Sequence, residues 1–187
     1  VNKTTPVAGD VKYVDRNGDG VVDDNDRDII GNPNPDFTYG FQTKVSWKSL
    51  SLSASFNGVQ GRDILNVGNR YNNTPGTKSN NVTRKAFQNM WTDENPSNLY
   101  PKSTFVVQNM VMDRYVEDGS YLRCSDITLS YVLPAKWTNK IGIKNTSVYA
   151  SVKNAFVITD YSGYDPEVNS FAFDGLRPGV DMNSYPT

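Results

Sequence analysis

The chain of 187 residues lacks several features on which enzymes and membrane helices depend. It has no histidine and a single cysteine, Cys124, so the commonest general base is absent and no internal disulfide can form. Hydrolytic triads and zinc sites are therefore not expected, and we predict that the chain is not an enzyme. The sequence has no run of about eighteen apolar residues, which excludes a transmembrane helix.

An excess of charge is absent as well. The sequence has 20 acidic and 19 basic residues, and its lysines and arginines form no cluster, so we expect no nucleic-acid partner. The hydrophobic fraction of 37% and the aromatic fraction of 12% are typical of a folded domain. A mean hydropathy of −0.57 is compatible with a water-soluble protein or with a membrane barrel made of short alternating strands.

Two neighbouring segments, residues 37–47 and 50–57, alternate apolar and polar side chains. The apolar set is Phe37, Tyr39, Phe41, Val45, Trp47, Leu50, Leu52, Ala54 and Phe56. Successive side chains of a strand point to opposite faces, so each segment predicts a strand with one apolar and one polar face, and the two-residue link predicts a hairpin. The first segment is long enough to cross a bilayer as a tilted strand, and Tyr39 and Trp47 suit an interfacial aromatic girdle. A hairpin of a water-soluble β-sandwich is the alternative.

Two more strands are predicted at residues 121–133 and 146–159. In the first, Ile127, Leu129 and Tyr131 share a face, whereas Leu122 and Cys124 fall out of phase with them. This break indicates a β-bulge or a strand end that lies above the lipid. Between the strand pairs, residues 83–91 have helical spacing of apolar residues and predict one short helix.

The lengths of the connections indicate which end of the sheet carries the loops. Residues 1–36, 58–120 and 160–187 are predicted as long loops on one side, while the hairpin 37–57 and the strand pair 121–159 contain only short turns. Long external loops and short periplasmic turns are typical of outer-membrane barrels. We therefore predict an all-β, antiparallel fold that forms part of a transmembrane β-barrel, with strands missing from this chain completing the wall.

An oxygen-rich loop at residues 15–26 has the spacing of an EF-hand calcium loop, with glycine at its sixth position and aspartate in place of glutamate at its twelfth. The predicted ligands are Asp15, Asn17, Asp19, the carbonyl of Val21, Asp23 and Asp26. The flanking segments are too short for the helices of a true EF-hand, so the predicted Ca²⁺ is structural. The alternative is a cluster of Asp, Asn and Gly turns.

Five phrases together resemble the C-terminal part of the SusC/RagA family of TonB-dependent outer-membrane transporters. They are GDVKYVDRNGDG (9–20), IGNPNPDF (30–37), WTDENP (91–96), DGSYLR (118–123) and YSGYDPE (161–167). The resemblance implies a 22-stranded plugged barrel in the bacterial outer membrane. It also implies import of glycan or peptide fragments, a SusD-like surface lipoprotein as a lid, and energy from the TonB complex acting on an N-terminal plug. Family members continue beyond residues 184–187 into a last strand, which we expect to be absent here.

Two functions follow from these patterns. The first is a segment of an outer-membrane importer, whose loop aromatics Tyr71, Trp91, Tyr100, Tyr161 and Tyr164 are candidates for contact with substrate or partner. The second is a secreted, calcium-stabilised β-domain for adhesion or carbohydrate binding. The outward strand face discriminates between them, because lipid requires this face to stay uncovered by protein, whereas a sandwich buries it under a second sheet.

Overall fold

A computed structural model describes residues 7–74, 81–103, 111–143 and 145–183. The remaining parts of the predicted loops and of the turn after residue 133 lie outside the described residues. The chain divides into two compact units, which we call the sheet unit (Pro33–Asp63 and Asp118–Ser162) and the loop unit (Val1–Asn32, Ile64–Glu117 and Gly163–Thr187). None of the described helices is long and apolar enough to cross a membrane.

The sheet unit is a four-stranded antiparallel sheet. Its strands are β1 (Phe37–Trp47), β2 (Leu50–Gln60), β5 (Tyr121–Val132) and β6 (Ser147–Thr159), in the order β1-β2-β5-β6. The predicted strands are thus confirmed to within a residue or two at most ends, and β2 runs three residues further than expected. The register pairs apolar with apolar residues in rows across the sheet, as in Val45, Leu52, Leu129 and Ala150.

Both short connections lie at one end of this sheet. The Val132 N–H donates to the Ser49 carbonyl at 2.9 Å, which joins the end of β5 to the β1–β2 turn. After β5 the chain forms helix α3 (Ala135–Thr138) and a 3₁₀ turn (Asn139–Ile141), and the Leu133 N–H donates to the Thr146 carbonyl where β6 approaches. Phe37, Gln60, Tyr121 and Thr159 lie at the opposite end, so all long segments leave from there.

The predicted break in β5 is a β-bulge. Ser55 pairs with Asp126 and Phe56 with Cys124, which leaves Ser125 as the extra residue. The Ser125 hydroxyl donates to the Ser55 carbonyl at 3.1 Å and holds the bulge in place. At the same level of β6, Asn154 has a φ of 49°, which an asparagine tolerates better than most residues. The bulge returns Cys124 and Leu122 to the apolar face.

The loop unit contains more regular structure than its composition predicts. The helix expected near residues 83–91 is α2 (Arg84–Asn89), with the Thr83 hydroxyl accepting the Ala86 N–H as its N-cap. Helix α1 (Val67–Asn73) was not expected, and neither were the short strands β3 (Asp63–Asn66), β4 (Val116–Asp118) and β7 (Val180–Asp181), which form a sheet in the order β4-β3-β7. The prediction of residues 58–120 as a loop with one helix is therefore wrong in detail, because these elements are fixed by tertiary pairing rather than by local periodicity.

Candidate functional site

The sheet unit presents two chemically different faces. On the apolar face Phe37, Phe41, Trp47 and Leu52 keep 57%, 53%, 68% and 47% of their surface exposed. A water-soluble domain rarely leaves so much contiguous apolar surface uncovered. Phe56 is half-buried because its ring stacks on Phe41 at a centroid distance of 4.6 Å. In the part of the chain that the structure describes, the apolar face is thus uncovered, as the lipid-facing interpretation requires.

In the middle of the apolar face, two aromatic rings cover Cys124, the only cysteine of the chain. Cys124 pairs with Phe56 on one side and with Phe156 on the other, and it is fully buried. The two rings lie only 6.4 Å apart although a whole strand separates their backbones, so both lean over Cys124. Near the long-loop end, the Tyr39 hydroxyl donates to the Tyr121 carbonyl at 3.5 Å and its ring lies across Gly58. A Cβ at Gly58 would come within 2.4 Å of that ring, so the position requires glycine.

The opposite face of the sheet is polar and internally bonded. The hydroxyls of Ser46 and Ser51 lie 2.8 Å apart across the β1–β2 turn. The Asp126 carboxylate accepts hydrogen bonds from Thr128 and Ser151 at 2.9 and 3.2 Å and forms an ion pair with Lys153 at 2.7 Å. A face of this composition is suited to water and not to acyl chains.

The predicted calcium loop is curled around its own carboxylates. Asp15 accepts the N–H groups of Gly18 and Gly20 at 2.7 and 2.8 Å, and both glycines have positive φ. At the other end of the loop, Asp26 accepts the N–H groups of Asp23 and Arg16 at 2.7 and 2.8 Å. These backbone hydrogen bonds, that of Asp23 first, lower the pKa of the Asp26 carboxyl because they stabilise its charged form.

The remaining predicted ligands form short turns within the same loop. The side chains of Asn17, Asp19 and Asp23 accept the N–H groups of Asp19, Val21 and Asn25 at 2.7–2.9 Å. All donors are hard oxygens, as Ca²⁺ prefers, and a carboxylate oxygen that accepts one hydrogen bond keeps a second lone pair. No group of three or more acidic, cysteine or histidine side chains among the described residues converges closely enough to hold a metal ion. Calcium binding therefore stays a prediction.

The segment that leads into this loop is fixed to the rest of the loop unit. The Lys102 N–H donates to the Gly9 carbonyl at 2.8 Å, and the Lys102 ammonium pairs with Asp10 at 3.0 Å. The pKa of Asp10 is lowered by the Val7 N–H first and by Lys102 second. Burial raises the pKa of Tyr13, and the nearby Tyr115 raises it further. Tyr13 and Val14 belong to none of the described strands.

The five candidate loop aromatics differ in their exposure to solvent. Tyr164 and Tyr71 are exposed, with Tyr71 lying beside the Arg70 guanidinium. Trp91 and Tyr100 are half-buried and belong to one packed segment, in which the Trp91 N–H donates to the Tyr100 carbonyl at 3.0 Å. Tyr161 is only 6% exposed, so the expectation that its ring is exposed is wrong, while its contact with substrate or partner stays a prediction. Its burial is invisible in the sequence because all five residues occur in similar polar surroundings.

An amide and carboxylate network was missed by the sequence analysis. The Glu117 carboxylate accepts hydrogen bonds from the side chains of Asn66 and Asn69 at 3.0 and 2.8 Å. Asn69 in turn accepts a hydrogen bond from the Asn73 side chain, whose own oxygen accepts the Thr83 hydroxyl at 2.5 Å. The only available signal was the repeated asparagine at residues 66, 69, 72 and 73, which resembles ordinary loop composition.

Comparisons with known proteins identify the relatives of this chain, although no protein-family model matches it. A TonB-dependent receptor of Formosa agariphila is 34% identical over 188 aligned positions, which cover 96% of this chain and 18% of the relative. The TonB-dependent receptor SusC of Bacteroides thetaiotaomicron is 34% identical over 181 positions, covering 93% of this chain and 16% of SusC. These relatives are receptors and not enzymes, in agreement with the expectation for this chain.

Solved structures of a related importer also match this chain. The RagAB peptide importer in its closed-closed state matches 84% of this chain with a TM-score of 0.71 and 28% sequence identity, and the match covers 16% of that chain. In the open-open state the TM-score is 0.68 at 30% identity. The chain spans less than a fifth of the length of these relatives. The resemblance seen in the sequence is thus confirmed, and the chain is homologous to a segment of the TonB-dependent receptors that include SusC.

Proposed function

We propose that the chain forms four strands of the wall, together with external loops, of a TonB-dependent nutrient importer in the bacterial outer membrane. The observation that carries the proposal is the sheet with one uncovered apolar face, one polar face and both short turns at one end. An 11-residue strand such as β1 is about 37 Å long, and at a tilt of about 45° it spans about 26 Å, close to the apolar band of such barrels.

The strand edges support a larger barrel. Within the described residues, β1 pairs only with β2 and β6 only with β5, so two long strands each keep one edge. Open edges of this length invite pairing with further strands, and lipid cannot satisfy their N–H and carbonyl groups. Closure into a plugged barrel of 22 strands is proposed from the family resemblance.

The partners and cargo are proposed from the relatives. A SusD-like lipoprotein would close over the external loops, and the TonB complex would act on an N-terminal plug. RagAB is a peptide importer, and its likeness to this chain supports peptide fragments as cargo, with glycan fragments as the second class. A secreted β-domain is disfavoured because the apolar face is uncovered and the relatives are TonB-dependent receptors.

Fractionation and protease accessibility test the proposal on the full-length polypeptide. We expect it in the outer-membrane fraction, and we expect only detergent to extract it. A specific protease site inserted between Lys48 and Ser49 should resist protease added to intact cells, whereas a matched site between Asp174 and Gly175 should be cut. Extraction by salt or alkaline carbonate, or cleavage at the β1–β2 turn in intact cells, would contradict the proposal.

We also propose that Ca²⁺ binds the loop at residues 15–26 and pins it. The oxygen-only donor set and the existing curl around Asp15 and Asp26 support this. When bound, the ion would neutralise crowded carboxylates. Chelation or Asp15→Ala should increase protease cleavage within residues 10–36 and leave the strands intact, while Asp24→Ala serves as the matched control outside the predicted ligand set. Equal cleavage with and without chelator would contradict calcium binding.

A further inference from the structure

We propose that a cavity in the loop unit, between helices α1 and α2 and the segment around Tyr100, binds a small organic carboxylate. Its volume is about 260 Å³. Drug-sized ligands occupy cavities of about 300–1,000 Å³, so this one is matched to a smaller ligand of the size of a single sugar ring or a dipeptide. The inference rests on the proposed function, because it assigns the cavity to recognition of imported material.

The walls of the cavity are held together by hydrogen bonds. The Thr83 N–H donates to the Asn72 carbonyl at 2.9 Å and joins α2 to α1, and the bonded side chains of Asn69 and Asn73 form one wall. The Trp91–Tyr100 backbone bond connects the end of α2 to the opposite wall. A ligand would therefore meet a site whose shape already exists, which reduces the entropy lost on binding.

The charge of the lining favours an anion. Lys85 on α2 and Arg114 both line the cavity, and none of the described residues that line it is acidic. The carboxylate of the network described above, Glu117, already accepts two amide hydrogen bonds. Among the described lining residues, an anion that enters would thus face two cationic groups and donor-bearing amides and no acidic side chain.

Arg114 is positioned to receive a planar anion. Its Nη2 donates to the Leu99 carbonyl at 2.8 Å, and its guanidinium carbon lies 5.7 Å from the centre of the Tyr115 ring. One donor thus fixes the guanidinium, and four of its five donors are not used by that bond. A guanidinium matches a carboxylate through two parallel hydrogen bonds, which an ammonium cannot reproduce.

The rest of the lining favours an organic anion over a bare inorganic one. Tyr100, Tyr115 and Leu99 contribute apolar surface, and the Tyr115 hydroxyl is within 3.3 Å of the Thr74 hydroxyl, which holds its ring in place. Aromatic faces pack well against the C–H face of a sugar or an aliphatic side chain. A carboxylate attached to such a body occurs in a uronic acid and at the end of a peptide.

Calorimetry on the full-length receptor in detergent tests the inference with two matched pairs of probes. The first pair is D-glucuronate and neutral D-glucose, and the second is glycyl-leucine and its C-terminal amide. We expect at least one acid to bind with a Kd near 1 mM, and its neutral partner to bind about tenfold more weakly. Which acid binds distinguishes a sugar from a peptide source.

Substitutions of lining residues test whether the acid binds in this cavity. Arg114→Gln and Lys85→Gln should each weaken binding of the acid about tenfold, whereas Arg84→Gln, the neighbouring cation on α2 outside the lining, should not. Lys85 is exposed, so Lys85→Gln is expected to fold normally. This variant therefore tests the cavity even if Arg114→Gln, which removes the hydrogen bond to the Leu99 carbonyl, alters the loop. Equal weakening by Arg84→Gln, or unchanged binding in both cavity variants, would overturn the assignment.

The failure of this inference can be distinguished from failure of the proposed function. A heat-sensitive shift in gel mobility reports a folded barrel independently of ligand. A folded barrel that binds neither acid at about 10 mM overturns the cavity inference alone, since the wall is then intact. A protein that fractionates away from the outer membrane contradicts the proposed function instead.

Discussion

Arginine substitutions along β6 test whether the apolar face of the sheet contacts lipid, because the free-energy cost of a charge in a membrane depends on its depth. Val152 lies next to the midpoint of this 13-residue strand and shares a cross-strand row with Ala54 and Ile127. Ile158, on the same face, is about 20 Å further along the strand, or about 14 Å in depth at a tilt of about 45°. If the face contacts lipid, Val152→Arg should cost about 2–4 kcal/mol and Ile158→Arg only about 0–1 kcal/mol.

The assay is reversible denaturant unfolding of the full-length protein in lipid vesicles. Ser151→Arg provides the matched control, because Ser151 is adjacent to Val152 but faces the polar side, next to the Asp126 carboxylate at 3.2 Å. An arginine at this position keeps a donor near the Asp126 carboxylate, so we expect its cost to stay below about 1 kcal/mol. Equal costs at Val152 and Ile158 would refute the lipid-facing interpretation, because a dry protein interior has no depth gradient along the strand.

Two further predictions concern a glycine and a carboxylate. Gly58→Ala should lower the free energy of unfolding by about 1–3 kcal/mol, since its Cβ would meet the Tyr39 ring at 2.4 Å, whereas Gly40→Ala, with its nearest contact at 3.4 Å, should cost less. Equal losses in denaturant unfolding would contradict this. The pKa of Asp26 is lower in the folded chain than its ordinary value of 3.8, so its stabilisation of the loop is present above that pH and is lost as the pH falls through the folded pKa. Hydrogen exchange at the Asp23 amide should accelerate in that window, and an unchanged pH profile in Asp26→Asn would contradict the assignment.

The sheet could be predicted from the sequence because its apolar and polar faces produce a regular alternation of apolar and polar residues. Alternation located β1, β2 and β6, and the phase break at Cys124 indicated either a bulge or a strand end, of which the structure shows the bulge. Successive side chains of a strand point to opposite faces, so the apolar face can be identified from the sequence even when the pairing partner is unknown. The common side of the long connections followed from their lengths alone.

The loop unit was predicted less well because its structure depends on distant contacts. Helix α1 has no apolar periodicity, and its N-cap Asn66 is held by Glu117, which lies 51 residues away in sequence. The cavity beside it combines residues from four separate segments. Tyr161 and Tyr164 are three residues apart, yet one is buried and the other exposed, a difference that composition cannot show.

Spin-label accessibility along β2 in lipid vesicles shows whether the apolar face of the sheet contacts lipid. Single cysteines at residues 51–56, in a background in which Cys124 is replaced by serine, report contact with apolar oxygen and with a water-soluble nickel complex. We expect a period of two, with residues 52, 54 and 56 accessible to oxygen and residues 51, 53 and 55 accessible to nickel. Low accessibility to both reagents at residues 52, 54 and 56 would contradict it, because that result places the apolar face in a protein interior.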